Sequence, residues 1–235
     1  MNPTLRAALW MFGGVFAFSA MAVAGRAIAF DLDTFEIMMY RSFIGIALVL
    51  GFGAMFGTLN QITRRNLDLH VIRNVCHFTG QNLWFYALNL MPLAQLFALE
   101  FTTPLWVLVL SPFVLHEALS GSRILAAIVG FIGILIVARP GLAGFDPNLL
   151  YAAAASIGFA GSIVFTRKLT RTESITCILF YLTVLQAIFG VACAGYDGDI
   201  AWPVSQTWLW LVVIGCAGLF AHFCLTKAVT LAPAT

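Results

Sequence analysis

The sequence predicts an all-α integral membrane protein built from inverted five-helix repeats, with about eight transmembrane helices present of an expected ten. Three observations carry this prediction. Of the 235 residues, 61% are hydrophobic and only 9% charged, a balance outside the soluble globular class. Apolar runs of about 20 residues, long enough to cross the hydrocarbon core, recur along the whole chain. Finally, the chain matches itself without a gap at an offset of 141 residues: Leu9/Leu150, Phe18/Phe159, Val23/Val164, Arg26/Arg167, Tyr40/Tyr181, Val71/Val212, Ala87/Ala228, Leu90/Leu231 and Pro92/Pro233. Apolar identities arise cheaply in such a chain, so the shared Arg, Tyr and Pro carry the weight.

Continuous rather than alternating apolar runs mean helices and not a barrel, since lipid offers backbone groups no partner. The first span, 7–27, follows Arg6 as a signal peptide would, but it is long and lacks a cleavage site before Arg26, so it stays as an anchor. The second, 35–56, carries Glu36 near its start and Arg41 about two turns in. The third, 70–90, is the most polar. The fourth, 93–115, contains Pro104, which has no N–H for the carbonyl of Glu100 and predicts a kink. The fifth, 121–138, closes the first repeat at Arg139-Pro140-Gly141. Spans 148–168, 174–194 and 206–230 then follow as an incomplete second copy. The domain reading is therefore a five-helix repeat over 1–141 and three helices over 142–235. Thr235 aligns with Ala94, so a complete second repeat would run to about residue 280, and the chain is expected to be shortened relative to a ten-helix parent.

Loop charges supply independent evidence. Segment 26–36 (Arg26, Asp31, Asp33, Glu36) is net −2, whereas its counterpart 167–173 (Arg167, Lys168, Arg171, Glu173) is net +2. Segment 57–70 (Arg64, Arg65, Asp68) is net +1 and its counterpart 195–205 (Asp197, Asp199) net −2. Positive loops stay in the cytoplasm, so equivalent loops of opposite sign lie on opposite sides, as an inverted repeat requires. An odd number of crossings per repeat produces this inversion. The N-terminus is then cytoplasmic, with Arg6, Arg64, Arg65, Arg123, Arg167, Lys168 and Arg171, while Arg26, Arg139 and most loop acids are external.

Polar groups inside spans are costly and mark candidate sites. On the third span Arg73, His77, Gln81 and Trp84 fall within an arc of roughly 80° at 100° per residue. That stripe faces a wet cavity, or else Arg73 snorkels and the others bond between helices. Tyr86 joins Trp84 and Trp106 as a stacking or cation-binding ring. On the fourth span Gln95, Thr102 and Trp106 share one face, Glu100 and Pro104 another, and Thr103 lies between. A carboxylate beside a freed carbonyl suits a cation or a proton. Arg41 either meets a substrate carboxylate or snorkels outward. His222 aligns with Gln81 at the common offset and Thr226 follows one turn later, placing polar groups on both third helices. Lys227 reads as a snorkelling end residue. Ala154, Gly158 and Ser162, and Gly53 with Gly57, read as small-residue ridges for close helix contact. The five cysteines (Cys76, Cys177, Cys193, Cys216, Cys224) read as small buried hydrophobes without metal spacing.

With the five-plus-five pattern established, the chain resembles the drug/metabolite transporter superfamily, in proteins built of two EamA domains. Its best-matching stretch is Pro104 to Gly141, with a membrane proline, Glu117 at a helix end and the Gly-rich run GFIGILIVARPG. The family usually has Gly before that acid, where this chain has His116. Thr34-Phe35-Glu36 with Tyr40-Arg41, Ile72-Arg73, and Glu173-Ser174 followed by Leu179-Phe180-Tyr181 resemble the bacterial S-adenosylmethionine uptake branch. The resemblance implies a multi-pass carrier in a bacterial inner membrane, working by alternating access around a central cavity.

Taken together, the expected function is secondary-active transport of a small organic metabolite, amino-acid-like or S-adenosylmethionine-like. The alternatives are an exporter of amino acids or amphipathic drugs and, outside transport, a truncated, inactive or regulatory membrane partner. No cofactor, metal site or catalytic set is expected: no Walker loop or dinucleotide fingerprint is present, and no ligand spacing joins His77, His222 and Glu100. Expected partners are the substrate and the bilayer, with a homodimer left open. The net charge of +2 follows from loop bias and implies no nucleic acid.

Overall fold

A computed structural model describes residues 2–117, 119–138, 146–196 and 198–231. The expected repeat junction at Arg139-Pro140-Gly141 lies outside the described residues, as do Asp197, Pro233 and Thr235. The helices are α1 (Pro3–Ala27), α2 (Thr34–Met55), α3 (Leu67–Leu90), α4 (Leu93–Glu100), α5 (Thr103–Val114), α6 (Gly121–Ala138), α7 (Leu149–Leu169), α8 (Ile175–Ala194) and α9 (Ser205–Leu231). A 3-10 turn at Leu59–Gln61 precedes α3, and no strand occurs among the described residues. Long, apolar, uninterrupted runs can satisfy their backbone only internally, and the helix is the form that does so.

Among the described residues six segments are long and apolar enough to cross a membrane: α1, α2, Leu93–Val114, α7, α8 and α9, with a shorter apolar stretch, Ile124–Ile136, inside α6. The helix α3 is not among them, because Asp68, His70, Arg73, Asn74, His77, Gln81 and Asn82 dilute its hydropathy. It nonetheless runs 24 residues, and most of those polar side chains are buried against neighbouring helices.

Side-chain contacts define two ends of the bundle. At one end Arg26, on the last turn of α1, donates to the carbonyls of Leu88 and Met91 at the end of α3. There too Glu36, at the start of α2, accepts from the Ala201 N–H just before α9. This end carries Asp31, Asp33 and Asp199. At the opposite end Thr63 and Asn66, before α3, bind Glu173, before α8, and Arg167, ending α7, donates to the Val229 carbonyl on α9. That end carries Arg64, Arg65, Lys168 and Arg171.

The broadest packing faces are α1 on α9, α3 on α7 and α2 on α8. Lipid is as apolar as leucine, so these faces are held by close van der Waals fit and hydrogen bonds rather than by burial from water. Glycine makes the α3–α7 fit possible: a Cβ on Gly158 would stand 2.8 Å from the Gly80 Cα. The residue of α7 that accompanies it is Ala155, fully buried, while Ala154 of the expected ridge faces outward. The central core comprises Met21, Met38, Trp84, Phe85, Leu88, Leu211 and Ile214 among others.

Local chemistry sets the helix ends. Asp33 caps α2, its side chain accepting from the Glu36 N–H (2.8 Å) while the Glu36 carboxylate accepts from the Asp33 N–H (2.9 Å), a full capping box. At the other end of α2, Gly57 (φ 65) and Thr58 send their N–H groups back to Ala54 and Gly53, a Schellman cap. Gly53 and Gly57 thus terminate the helix instead of forming the expected packing ridge. The fourth span, Leu93–Val114, is interrupted at Phe101-Thr102, where a turn in right-handed backbone divides it into α4 and α5. Pro104 sits in the first turn of α5, where its missing N–H costs nothing.

Candidate functional site

Near mid-bundle, α3 turns Arg73, His77 and Gln81 inward at four-residue spacing, so all three share one face. Arg73 is 1% exposed and Arg41, reaching in from α2, is 6% exposed. The Arg73 Nε donates to Thr166 Oγ1 on α7 and its Nη1 to Asn74 Oδ1, both at 3.1 Å. Asn74 is itself gripped by Gln186 of α8, whose amide donates to both its carbonyl and its side-chain oxygen at 3.0 Å. Among the described residues the Arg41 guanidinium hydrogen-bonds to sulfur alone, Met38 Sδ at 3.7 Å and Met21 Sδ at 4.0 Å. Among the described residues neither arginine has a carboxylate partner; the ion pairs found there, Arg167 and Arg171 with Glu117, lie at the basic end.

His77 and His222 close the cluster from opposite sides, their rings edge-on with centroids 4.6 Å apart. Phe18 of α1 packs edge-on against His222 at 5.5 Å, and Phe159 of α7 lies against His77 at 6.1 Å. His77 Nε2, Gln81 Nε2 and both ring nitrogens of His222 are buried without a hydrogen-bond partner. Thr226 is buried one turn below, its hydroxyl donating to the His222 carbonyl at 2.7 Å. Arg73 lies one turn before His77 on α3, and the Arg41 guanidinium lies against Gly218, one turn before His222 on α9, so the two guanidinium groups make one electropositive cluster with the histidines. The cavity beside Arg41 is only about 10 Å³.

The remaining candidates stand elsewhere. Trp84 is buried, and its indole N–H donates to Glu100 Oε2 at 2.7 Å, which ties α3 to the end of α4. Its ring meets Phe85 and Phe97 in edge-to-face contacts, with centroids 5.2 and 6.4 Å away. Thr103 is buried and bonds the Ser156 carbonyl of α7 at 3.4 Å, beside a 2.8 Å bond from Thr102 to the Ser156 hydroxyl. Gln95 is half-buried on α4 and Trp106 is exposed on α5. Tyr86 faces a different space, a cavity of about 520 Å³ at the acidic end lined by Asp33, Phe35, Asn82, Asn89, Tyr151 and Tyr196 among others. It meets Tyr151 edge-on at 4.9 Å.

Sequence reasoning missed Asn74, Gln186 and the asparagines of this outer cavity. A signal existed for the latter: Asn82, Tyr86 and Asn89 repeat at the spacing of one helix face. It also missed the latches that tie α2 to the loop before α9 and the start of α8 to the loop before α3. At the acidic end Glu36 and Tyr40 hold Ala201 by its N–H and its carbonyl. At the basic end Glu173 accepts from Thr63 Oγ1 at 2.8 Å and from Asn66. Burial pushes the Glu173 carboxyl up, but the bonds from Thr63, Asn66 and Cys177, with the nearby His70, outweigh it and hold the group below its ordinary value.

The model of the EamA-like transporter family matches residues 5–139, more than half of the chain. The chain belongs to the EamA-like transporter family. It is a multi-pass membrane protein of a family of small-metabolite transporters rather than an enzyme. Among its relatives, the S-adenosylmethionine uptake transporter of Rickettsia bellii (strain RML369-C) is 29% identical over 229 residues, 96% of this chain and 77% of the relative. The riboflavin transporter of Brucella anthropi is 30% identical over 202 residues, 84% of this chain and 71% of that one. The pseudopaline exporter CntI of Pseudomonas aeruginosa is 23% identical over 91% of this chain and 74% of its own length. A solved crystal structure shares the fold of this EamA-like transporter, with a TM-score of 0.72 at 23% identity over 96% of this chain and 78% of the other.

Proposed function

We propose that this EamA-like transporter is a secondary carrier whose cargo is a small organic metabolite bearing an anionic group, bound between Arg41, Arg73, His77, Gln81 and His222. The observation that carries the reading is the pair of buried arginines without a carboxylate. A buried cation lacking a counter-charge costs several kcal/mol, and within a membrane such groups mark substrate pathways. An arriving carboxylate or phosphate supplies the missing charge and takes bidentate hydrogen bonds from guanidinium. The unpartnered nitrogens of His77, Gln81 and His222 add polar contacts around it.

Alternating access between inverted repeats, 1–141 and 142–235, is part of the proposal. What supports it is that the packing is unchanged when α1, α2 and α3 exchange with α7, α8 and α9: α1 on α9 becomes α7 on α3, and α2 on α8 maps to itself. The hydrogen bonds follow the same rule. Arg26 to Leu88 and Arg167 to Val229 are one contact displaced by the common offset of 141. With positive loops inside, the basic end and the N-terminus are cytoplasmic in a bacterial inner membrane. The cargo is then S-adenosylmethionine-like or amino-acid-like, since both carry a carboxylate.

The test is transport by the full chain in liposomes, with labelled S-adenosylmethionine, amino acids and riboflavin offered from either side. Saturable flux of a carboxylate-bearing metabolite, competed by unlabelled cargo, is the expected result, and its direction separates uptake from export. A folded chain that moves none of them overturns the carrier reading and leaves a non-transporting membrane partner.

A further inference from the structure

A second polar cluster, away from the arginines, lies where α3 and α8 begin at the basic end. His70 of α3, Glu173 of the turn before α8 and Cys177 of its first turn are all buried, and their ligand atoms lie within 4.8 Å of one another. We propose that they bind one divalent cation of the zinc class.

The chemistry of the set is borderline-soft: an imidazole, a thiolate and a carboxylate are the three side chains zinc takes in proteins. The geometry is close to formed. The Cys177 Sγ and His70 Nε2 stand 3.9 Å apart; bonds of about 2.3 Å to sulfur and about 2.0 Å to nitrogen at a tetrahedral angle put them about 3.5 Å apart. A shift of a few tenths of an ångström closes the site. The Thr63 carbonyl oxygen, 3.7 Å from Sγ, is an oxygen within reach of the fourth position. Charge favours the assignment as well, because a carboxylate and a thiolate neutralise a divalent ion in a place too dry to leave it bare.

The independent observation is His70 itself. It is fully buried, its Nδ1 has no partner and its Nε2 meets only the Cys177 sulfur. Tyr181 holds the ring in place from one side, with centroids 4.3 Å apart. A metal at Nε2 gives this buried, positioned ring nitrogen a strong bond in place of its contact with sulfur. An entry route exists, since Thr63 and Thr172 beside the cluster are exposed. Two helix N-termini converge here and repel a cation, so both anionic ligands are needed. The site joins the start of α3 to the start of α8, and occupancy would pin those helices together. This inference does not depend on which metabolite is carried.

The experiment loads the full chain, in lipid nanodiscs, with Co(II), removes the excess and records metal content and absorption. About one cobalt per chain is expected, with a near-ultraviolet sulfur-to-cobalt band and tetrahedral d–d absorption, both abolished by Zn(II). Cys177→Ser loses the sulfur band while staying monodisperse, and Cys224→Ser on α9 keeps it. A folded wild-type chain holding far less than one cobalt overturns the proposal, as does a Cys177→Ser/Glu173→Gln chain that binds as wild type does. Should Cys177→Ser fail to fold, wild type decides the matter: Zn(II) raises its melting temperature if the site exists, and an unchanged melt overturns it.

Discussion

Glu36 and Arg73 are both charged, both buried and both set on helices that cross the bundle, yet their surroundings differ in one respect. Glu36 accepts from the Asp33 and Ala201 N–H groups with its two oxygens. Arg73 spends its donors on a threonine hydroxyl and an amide oxygen, with a second uncompensated arginine in the same cluster. The acidic and basic ends stand closer to Glu36: Arg26 donates to backbone carbonyls, Glu173 accepts from Thr63 and Asn66, and Glu117 Oε1 faces Arg167 and Arg171, although Glu117 Oε2 and Arg167 Nε make no hydrogen bond among the described residues. The centre resembles Arg73. Because an unmade bond to a buried polar group costs more than a made one contributes, a fold keeps such a centre only where something else completes it. On the proposed function, the difference separates the groups that hold the bundle from those that would serve its cargo.

Replacing one residue of each kind is the sharpest way to break this comparison. Arg73→Gln keeps bonding capacity toward Thr166 and Asn74 but removes the charge. Flux of the anionic cargo is expected to fall on the order of 100-fold, equivalent to about 3 kcal/mol for a lost buried charged contact. The melting temperature holds or rises, because an unpaired buried charge is no longer desolvated. A variant that melts markedly earlier with unchanged flux would make Arg73 a structural group like Glu36.

Glu36→Ala is the converse case. It breaks the capping box and orphans the Ala201 N–H, for about 2 kcal/mol and a melting temperature lower by about 4–8 °C in a chain of this size. Cargo affinity of the folded fraction stays put. If affinity drops while the melt does not move, the acidic end belongs to the binding site and the division between ends and centre fails.

The bundle was far more legible than the cluster. Period and length of the apolar runs are a direct consequence of backbone satisfaction in lipid, so the helices appear in the sequence almost at their final bounds. The break at Phe101-Thr102 was half visible: Pro104 announces a disturbance, but whether a helix bends or restarts depends on what receives Thr102 and Thr103, and Ser156 is more than 50 residues away. Likewise Arg41, Arg73, His77, Gln81, His222 and Thr226 could be nominated as costly polar groups in spans. Which of them converge is tertiary information. Trp84 lies within the same arc of α3 as Arg73, yet it packs around Glu100 because the chain turns back on itself at Met91-Pro92. Tyr86, one residue beyond Phe85, faces the outer cavity instead.

His116 marks a place at the basic end where the backbone is not at ease. Its φ of 56 is left-handed, which costs a residue with a Cβ about 1 kcal/mol. The family habit of Gly before the acid thereby acquires a physical reason. His116→Gly should raise the melting temperature by about 2–4 °C without altering flux, provided Glu117 keeps Arg167 and Arg171 at 3.7 and 3.5 Å. A lower melt would mean that the imidazole makes a contact worth more than the strain.

The smallest effect tests whether the basic end is completed by ionised oxygen in the way the centre is not. Bonds from Thr63 and Asn66 hold Glu173 below its ordinary value, so its folded-state affinity for protons is weaker than that of the unfolded chain. Stability from this group is therefore fully present above the ordinary Glu value of about 4.3 and is lost as pH falls through the lowered folded value. With a chelator present, to keep metal out of the comparison, the melting difference between wild type and Glu173→Gln should be constant near neutrality and shrink toward zero as acid titrates the wild type. The change is small because Thr63 is exposed and water competes for the same oxygens. A difference that stays constant through the acid range would show that the latch works equally well protonated. Glu173 would then belong with Glu100, a carboxyl held by shape and one donor rather than by charge.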